Sequence, residues 1–258
     1  MSKAFARTEL LIGPEGLAAL EASTVAVIGL GGVGSFAAEA LARAGVGRLV
    51  LVDHDFVCVT NINRQLVAST STVGRPKVEV MRERVLDINP GIKVEALQLY
   101  YGPSSADGIL SRGLSYIVDA IDALDSKVDL ALRATKAGIP IVSAMGAGNK
   151  FDPTRIEVAD IAQTSICPLA RALRKELRRR GLEHLTVVFS KEPPVGPLEA
   201  GNPCLSDCSC PRKNTSWSAP RAAPGSLSFV PSVFGLVAAS VAVRALIAGR
   251  PASVGPPG

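Results

Sequence analysis

The stretch TVAVIGLGGVGSFAAEALARAG, Thr24 to Gly45, decides the fold. An apolar, β-branched run from Thr24 to Gly31 ends in glycines and leads into a helix of small residues. Gly29, Gly31 and Gly34 stand in the G-x-G-x-x-G spacing between that strand and that helix. Such a turn lets phosphate oxygens approach the backbone N–H groups at a helix N-terminus, because no side chain stands in the way. Working outward, RLVLVDHD (Arg48 to Asp55) is a second strand, and its Asp53 lies 19 residues after Gly34. An acidic residue there accepts ribose hydroxyls. KVEALQLY, YIVDAID and IPIVSAMG are three more strands. GRPKVEVMRERVLDINP is a helix with Val78, Met81, Val85 and Ile88 on one stripe, and DSKVDLALRATKAG is a helix that stops at Gly138. Alternation at this spacing predicts an α/β fold, a doubly wound, Rossmann-like, mostly parallel sheet, with residues 24–145 as its nucleotide-binding core.

The glycine turn and Asp53 serve NAD and ATP equally well. The residues that follow separate the two. TNINRQ (Thr60 to Gln65) sets Asn61, Asn63 and Gln65 around Arg64, and Lys77 follows in VGRPKVE. A nicotinamide site needs no cationic pair here. A triphosphate does, because charge builds on its oxygens as the α-phosphorus is attacked. A guanidinium holds two oxygens at once, and an ammonium supplies a point charge. The fourth strand ends in DAID, which offers Asp119 and Asp122 at the C-terminal sheet edge, where a carboxylate suits Mg²⁺. Asp122 also has the alternative of capping the next helix.

The C-terminal part, residues 146–258, reads differently. RIEVADI and LTVVFS are strand candidates, and CPLARALRKELRRRG between them is a basic helix. Residues 191–226 hold seven of the eighteen prolines and three of the five cysteines, with little periodicity, and predict a long mobile loop. Ser226 to Gly249 is apolar but interrupted by Pro231, Gly235 and Arg244, which favours a buried helix over a membrane span. The chain has 258 residues, 47% of them hydrophobic and 20% charged, enough for a real core. Aromatic residues make up only 4%, too few for a base-stacking platform. A net charge of +5 leans toward anionic partners. An odd cysteine count and an N-terminus without an apolar signal core fit a reducing, cytoplasmic setting.

Taken together, GLGGVG, the Asp53 strand end, NINRQ, Lys77 and DAID resemble the ubiquitin-activating, ThiF-like superfamily. CVTNINRQ, VGRPKVEVM, DINP, AMGAGNKFDPTRIEVADI, CPLARALRKELRRRG and FSKEPP are similar in particular to the tRNA threonylcarbamoyladenosine dehydratase family, across most of residues 7–248. The resemblance implies one ThiF-like adenylation domain spanning 1–258, with the C-terminal part serving substrate and dimer contacts. It implies ATP-dependent cyclisation of threonylcarbamoyladenosine in tRNA through a carboxyl-adenylate. By motif position it assigns the phosphates to Gly29, Gly31, Gly32 and Gly34 and the ribose to Asp53. Arg64 and Lys77 fall to the triphosphate, Arg64 across a homodimer, and Asp122 to Mg²⁺.

Two other readings share the turn. One is an adenylyltransferase for a small ubiquitin-like sulfur carrier, which would bring in a sulfurtransferase-system protein as partner; the missing paired C-x-x-C motifs count against it. The other is an NAD-binding oxidoreductase, which Arg64 with Lys77 opposes. Cys204, Cys208 and Cys210 in CLSDCSC suit a metal if His184 or Cys167 completes the set, a covalent acyl acceptor, or no chemistry. On the basic helix, Arg171, Arg174, Lys175 and Arg178 share a face that suits a tRNA backbone or plain solvent.

Overall fold

The computed structural model describes residues 3–196 and 224–248. At its centre β1 (Thr24–Ile28) is wholly buried, as expected of a strand covered on both faces. Val25 and Val27 belong to one hydrophobic core and Ala26 and Ile28 to the other, so successive side chains serve opposite faces. β2 (Arg48–Val52) and β3 (Lys93–Leu97) extend the sheet on one side of β1, and β4 (Tyr116–Asp119) and β5 (Ile141–Ala144) on the other. β6 (Ile156–Asp160) and β7 (Thr186–Ser190) complete the order β3-β2-β1-β4-β5-β7-β6. All neighbours are parallel except β6 with β7. The order reverses between β1 and β4, and doubly wound sheets bind ligands in the crevice that opens there.

α2 (Gly34–Ala44), α3 (Lys77–Ile88) and α7 (Phe229–Ile247) cover one face. The Val78, Met81 and Val85 stripe of α3 is buried there as its spacing predicts. α4 (Pro103–Leu110), α5 (Leu124–Lys136) and α6 (Pro168–Arg179) cover the other, burying Ile109, Leu130, Leu173 and Leu177. Two helices escape the sequence patterns. α1 (Ala6–Glu21) is bent at Gly13 (φ 72°) before Pro14, which breaks its periodicity, though Leu17 and Leu20 are fully buried. α4 is only eight residues long, too short for periodicity to register.

α7 is long and apolar enough to cross a membrane, with mean hydropathy 1.9, and 44% of that window is buried within the protein. It packs on α1, α2, β4 and β5. A Cβ at Gly235 would lie 2.2 Å from the Val33 carbonyl oxygen, and one at Gly32 would lie 3.0 Å from Pro231. The helix is therefore pressed against the glycine turn itself. Of the stretch read as a loop, 191–196 and 224–226 are described, and Cys204, Cys208 and Cys210 lie outside the described residues.

Candidate nucleotide site

The phosphate turn forms because its backbone leaves no room for side chains. Gly29 has φ 91°, and a Cβ there would meet the Ala120 carbonyl oxygen at 2.7 Å. A Cβ on Gly34 would lie 1.7 Å from the Gly29 carbonyl oxygen, so helix α2 can start here only from glycine. Gly31 is different: its nearest neighbour would be Gln65 Nε2 at 3.8 Å. Alanine at Gly31 fits the protein but occupies the space a phosphate needs. We expect Gly31→Ala to keep the unliganded melting temperature while losing most of the ATP-induced rise, as read by thermal unfolding with and without ATP.

Asp53 is buried at the end of β2 and ties the turn to the sheet. Its Oδ2 accepts the Leu30 N–H at 2.6 Å and its Oδ1 accepts the Asp55 N–H at 2.7 Å. A carboxylate has about four lone-pair sites, so capacity for ribose hydroxyls remains. Lys77 opens α3 with its side chain 6% exposed. Its Nζ lies 3.1 Å from Asp55 Oδ2, and its amide donates to the Asp55 carbonyl at 3.0 Å. Asp55 thus aims Lys77 across the β2 exit, a partner the motif reading passed over although it stands in the same DHD stretch. His54 Nε2 lies 3.3 Å from Asp55 Oδ1. The ligand atoms of Asp53, His54 and Asp55 are close enough to suggest a metal, but the two carboxylates are already engaged by backbone amides and by Lys77.

The TNINRQ loop is held by its own side chains. Asn61 Oδ1 accepts the Cys58 N–H at 3.1 Å, and Asn63 Nδ2 donates to the Ser226 carbonyl at 2.9 Å. Arg64 donates to the Thr60 carbonyl at 2.8 Å and to Asn63 Oδ1 at 2.9 Å. Asn61 and Asn63 therefore shape the loop. Gln65 is buried against the turn, and its Oε1 has no hydrogen-bond partner among the described residues. A buried acceptor left unpaired costs free energy until a donor, such as a water, reaches it.

At the β4 exit the two aspartates part company. Asp119, expected at the sheet edge as a ligand, is instead fully buried. Its Oδ2 pairs with Lys127 Nζ at 2.8 Å and accepts from Ser143 Oγ at 2.5 Å, while Oδ1 accepts the Ile121 N–H at 3.0 Å. It is a structural ion pair that fixes the turn. Asp122 stays exposed and engages no partner among the described residues. It does not cap α5, whose N-cap is Ala123 with no side-chain bond. The exposed, unpaired carboxylate of Asp122 has the chemistry to hold a magnesium ion.

Away from this edge, Cys167 is buried at the start of α6. His184 is exposed on the far side of the sheet, 3.2 Å from Asp160. On α6, Arg174 departs from the expected basic face by turning back onto the Ile161 and Thr164 carbonyls. Arg171, Lys175 and Arg178 remain exposed.

A glycine turn at a topological switch point, a ribose-ready carboxylate, oriented cations and an unpaired aspartate define a doubly wound nucleotide-binding domain of the adenylating kind. The ThiF family matches residues 5–255. A tRNA threonylcarbamoyladenosine dehydratase of Bacillus subtilis is 46% identical over 90% of both chains. The solved structure of the Escherichia coli tRNA N6-threonylcarbamoyladenosine dehydratase TcdA in complex with ATP superposes with a TM-score of 0.83 at 36% identity, covering 96% of this chain and 95% of that one. The molybdopterin-synthase adenylyltransferase of Salmonella typhimurium is 37% identical over only 50% of this chain. The chain belongs to the ThiF family and, within it, to the tRNA threonylcarbamoyladenosine dehydratase family.

Proposed function

We propose that this protein uses ATP to cyclise threonylcarbamoyladenosine in tRNA, with net loss of water, through a carboxyl-adenylate. The observation that carries this reading is similarity to a dehydratase along nearly the whole chain, where the adenylyltransferase match spans half. The substrate carboxylate is ionised at pH 7 and needs no general base to attack the α-phosphorus. The protein's tasks are alignment and neutralisation of phosphate charge. The glycine-turn amides hold phosphate oxygens, Asp53 takes the ribose, and Arg64 and Lys77 face the triphosphate. Asp122 would hold Mg²⁺, which supplies further charge neutralisation on the phosphates. An internal nucleophile of the substrate then displaces AMP, so an enzyme thiol is not required. We place the enzyme in the cytoplasm as a homodimer with Arg64 reaching across it.

Mass spectrometry of nucleosides from tRNA incubated with enzyme, ATP and Mg²⁺ tests this directly. The expected product is lighter than the substrate nucleoside by one water. An unchanged nucleoside together with adenylation of an added carrier protein would turn the assignment to the adenylyltransferase reading. MgATP should raise the melting temperature and NAD should not, because only a ligand of the native site stabilises by mass action. A larger rise with NAD would exclude adenylation.

The exposed Arg171, Lys175 and Arg178 on α6 suit a phosphate backbone. Changing the three to Glu should weaken tRNA binding whatever the tRNA. The salt slope should fall by about one for each phosphate no longer neutralised, measured by binding titrations at several salt concentrations. A slope equal to that of the unmodified protein would assign the face to solvent.

A further inference from the structure

A second cavity, of about 230 Å³, opens beyond the exit of β5. Gly146, Asn149 and Lys150 line it from the β5 side, Cys167 and Leu169 from the start of α6, and Pro224 from the segment before α7. In the strand order it stands beyond β4, on the opposite side of β1 from β2. With the ribose at Asp53, as read above, the adenosine half of a nucleotide lies over β1 and β2 and its phosphates run toward the switch point. The exit of β5 is two strand spacings from β1, on the order of 10 Å. A group attacking the α-phosphorus can approach from that side.

The cavity is also joined to the nucleotide site by a strap. Gly225 exchanges two hydrogen bonds with Asn149, each 2.7 Å, and the next residue, Ser226, accepts from Asn63. Asn149 holds φ 59°, a conformation that costs a non-glycine residue and persists only where its surroundings enforce it. The loop carrying Arg64 and the wall of the cavity are therefore linked through this strap.

Size and charge narrow the occupant. The volume falls below the ~300–1,000 Å³ of whole small-molecule sites, which suits an amino-acid-sized group better than a whole nucleoside. Among the described residues, Lys150 is the one cationic side chain in the lining, and no carboxylate joins it. Lys150 is 3% exposed and donates to the Glu192 carbonyl. The Glu192 carboxylate accepts the Phe151 and Asp152 amides, at 2.9 Å each. Burial pulls the Lys150 ammonium below the usual lysine range, with Cys167 and Glu192 opposing that pull. A buried cation is stabilised further by an arriving anion.

We propose that this cavity receives the threonyl arm of the substrate nucleoside, and that Lys150 draws its carboxylate toward the α-phosphate. The proposal rests on the dehydratase reading above. Lys150 here binds and orients; the bond to phosphorus forms at the carboxylate oxygen, and pyrophosphate leaves. Lys150→Met removes the charge at similar length. Gly146→Val fills the cavity, since a Cβ at Gly146 would meet only Leu169 and Cys167, at 3.8 and 3.9 Å. Each variant would be assayed for MgATP-induced thermal shift and for cyclisation of tRNA carrying the nucleoside. The expected result is an unchanged shift with both, a ~10- to 100-fold higher KM for tRNA with Lys150→Met, and no detectable cyclisation with Gly146→Val. Unchanged tRNA kinetics in both variants overturn the proposal, as does a parallel loss of ATP binding, which would make the cavity wall structural. If the unmodified protein fails to cyclise the nucleoside, the functional reading itself falls and takes the proposal with it.

Discussion

Arg64→Ala should lower turnover at saturating ATP and tRNA by ~10²- to 10³-fold while leaving ATP affinity within a few-fold. In the unliganded fold the side chain bonds the Thr60 carbonyl and Asn63 Oδ1. Its charge matters when negative charge grows on the phosphate oxygens, and an interaction stronger in the transition state than in the ground state changes kcat. Steady-state kinetics alongside ATP titration separates the two parameters. Weakened ATP binding with unchanged saturated turnover would make Arg64 a ground-state contact. Mixing Arg64→Ala with Asp122→Ala subunits adds a test of the shared site: some activity returns only if one intact site can be assembled from two chains.

The largest loss of stability is expected at Lys127. Its side chain and that of Asp119 are both fully buried, 2.8 Å apart. Removing one member of such a pair strands the other charge without water, at a cost of ~3–5 kcal/mol. For a domain of this size that corresponds to a fall in melting temperature of about 10 °C. Lys127→Met should show it, and adding Asp119→Asn should recover part, because the neutral amide carries no stranded charge, its oxygen still accepts the Ile121 N–H and its NH2 donates to Ser143 Oγ. A Lys127→Met protein as stable as the original would mean that Asp119 finds other compensation. Calorimetry of the three proteins decides it. The same pair fixes the turn carrying Ala120 against Gly29, so the single variant should also bind ATP less well.

The elements legible in the sequence are those with a strong period or a strict turn. The alternation of Val25, Ala26, Val27 and Ile28, the stripe of α3 and the glycine spacing of the phosphate turn each carry their structure in local order. Asp53, Lys77 and Asp122 stand at strand ends and helix starts, so counting along the motifs brings them to one edge. What counting does not supply is direction. Asp119 and Asp122 are three positions apart in DAID, yet one turns inward to Lys127 and the other stays at the surface. Lys77 needed Asp55, and Arg174 turned back onto the segment before its helix, through contacts that no spacing encodes. Lys150 was invisible for the same reason: a lysine in a loop signals nothing until the loop is seen closing over a cavity. α1 was hidden by a glycine–proline bend inside the helix.

The seating of α7 on the phosphate turn has a consequence for how the chain is made. Gly235 packs on Val33 and Pro231 on Gly32, partners about two hundred positions apart. On a ribosome the glycine turn emerges early and waits until the final helix has been synthesised before its outer wall exists. Until then the turn lacks that wall, and the search for such distant partners is slow compared with local closure. Chains released early would carry a formed sheet and an open turn, so ATP in the refolding or translation mixture should act late, capturing the completed protein rather than templating its assembly.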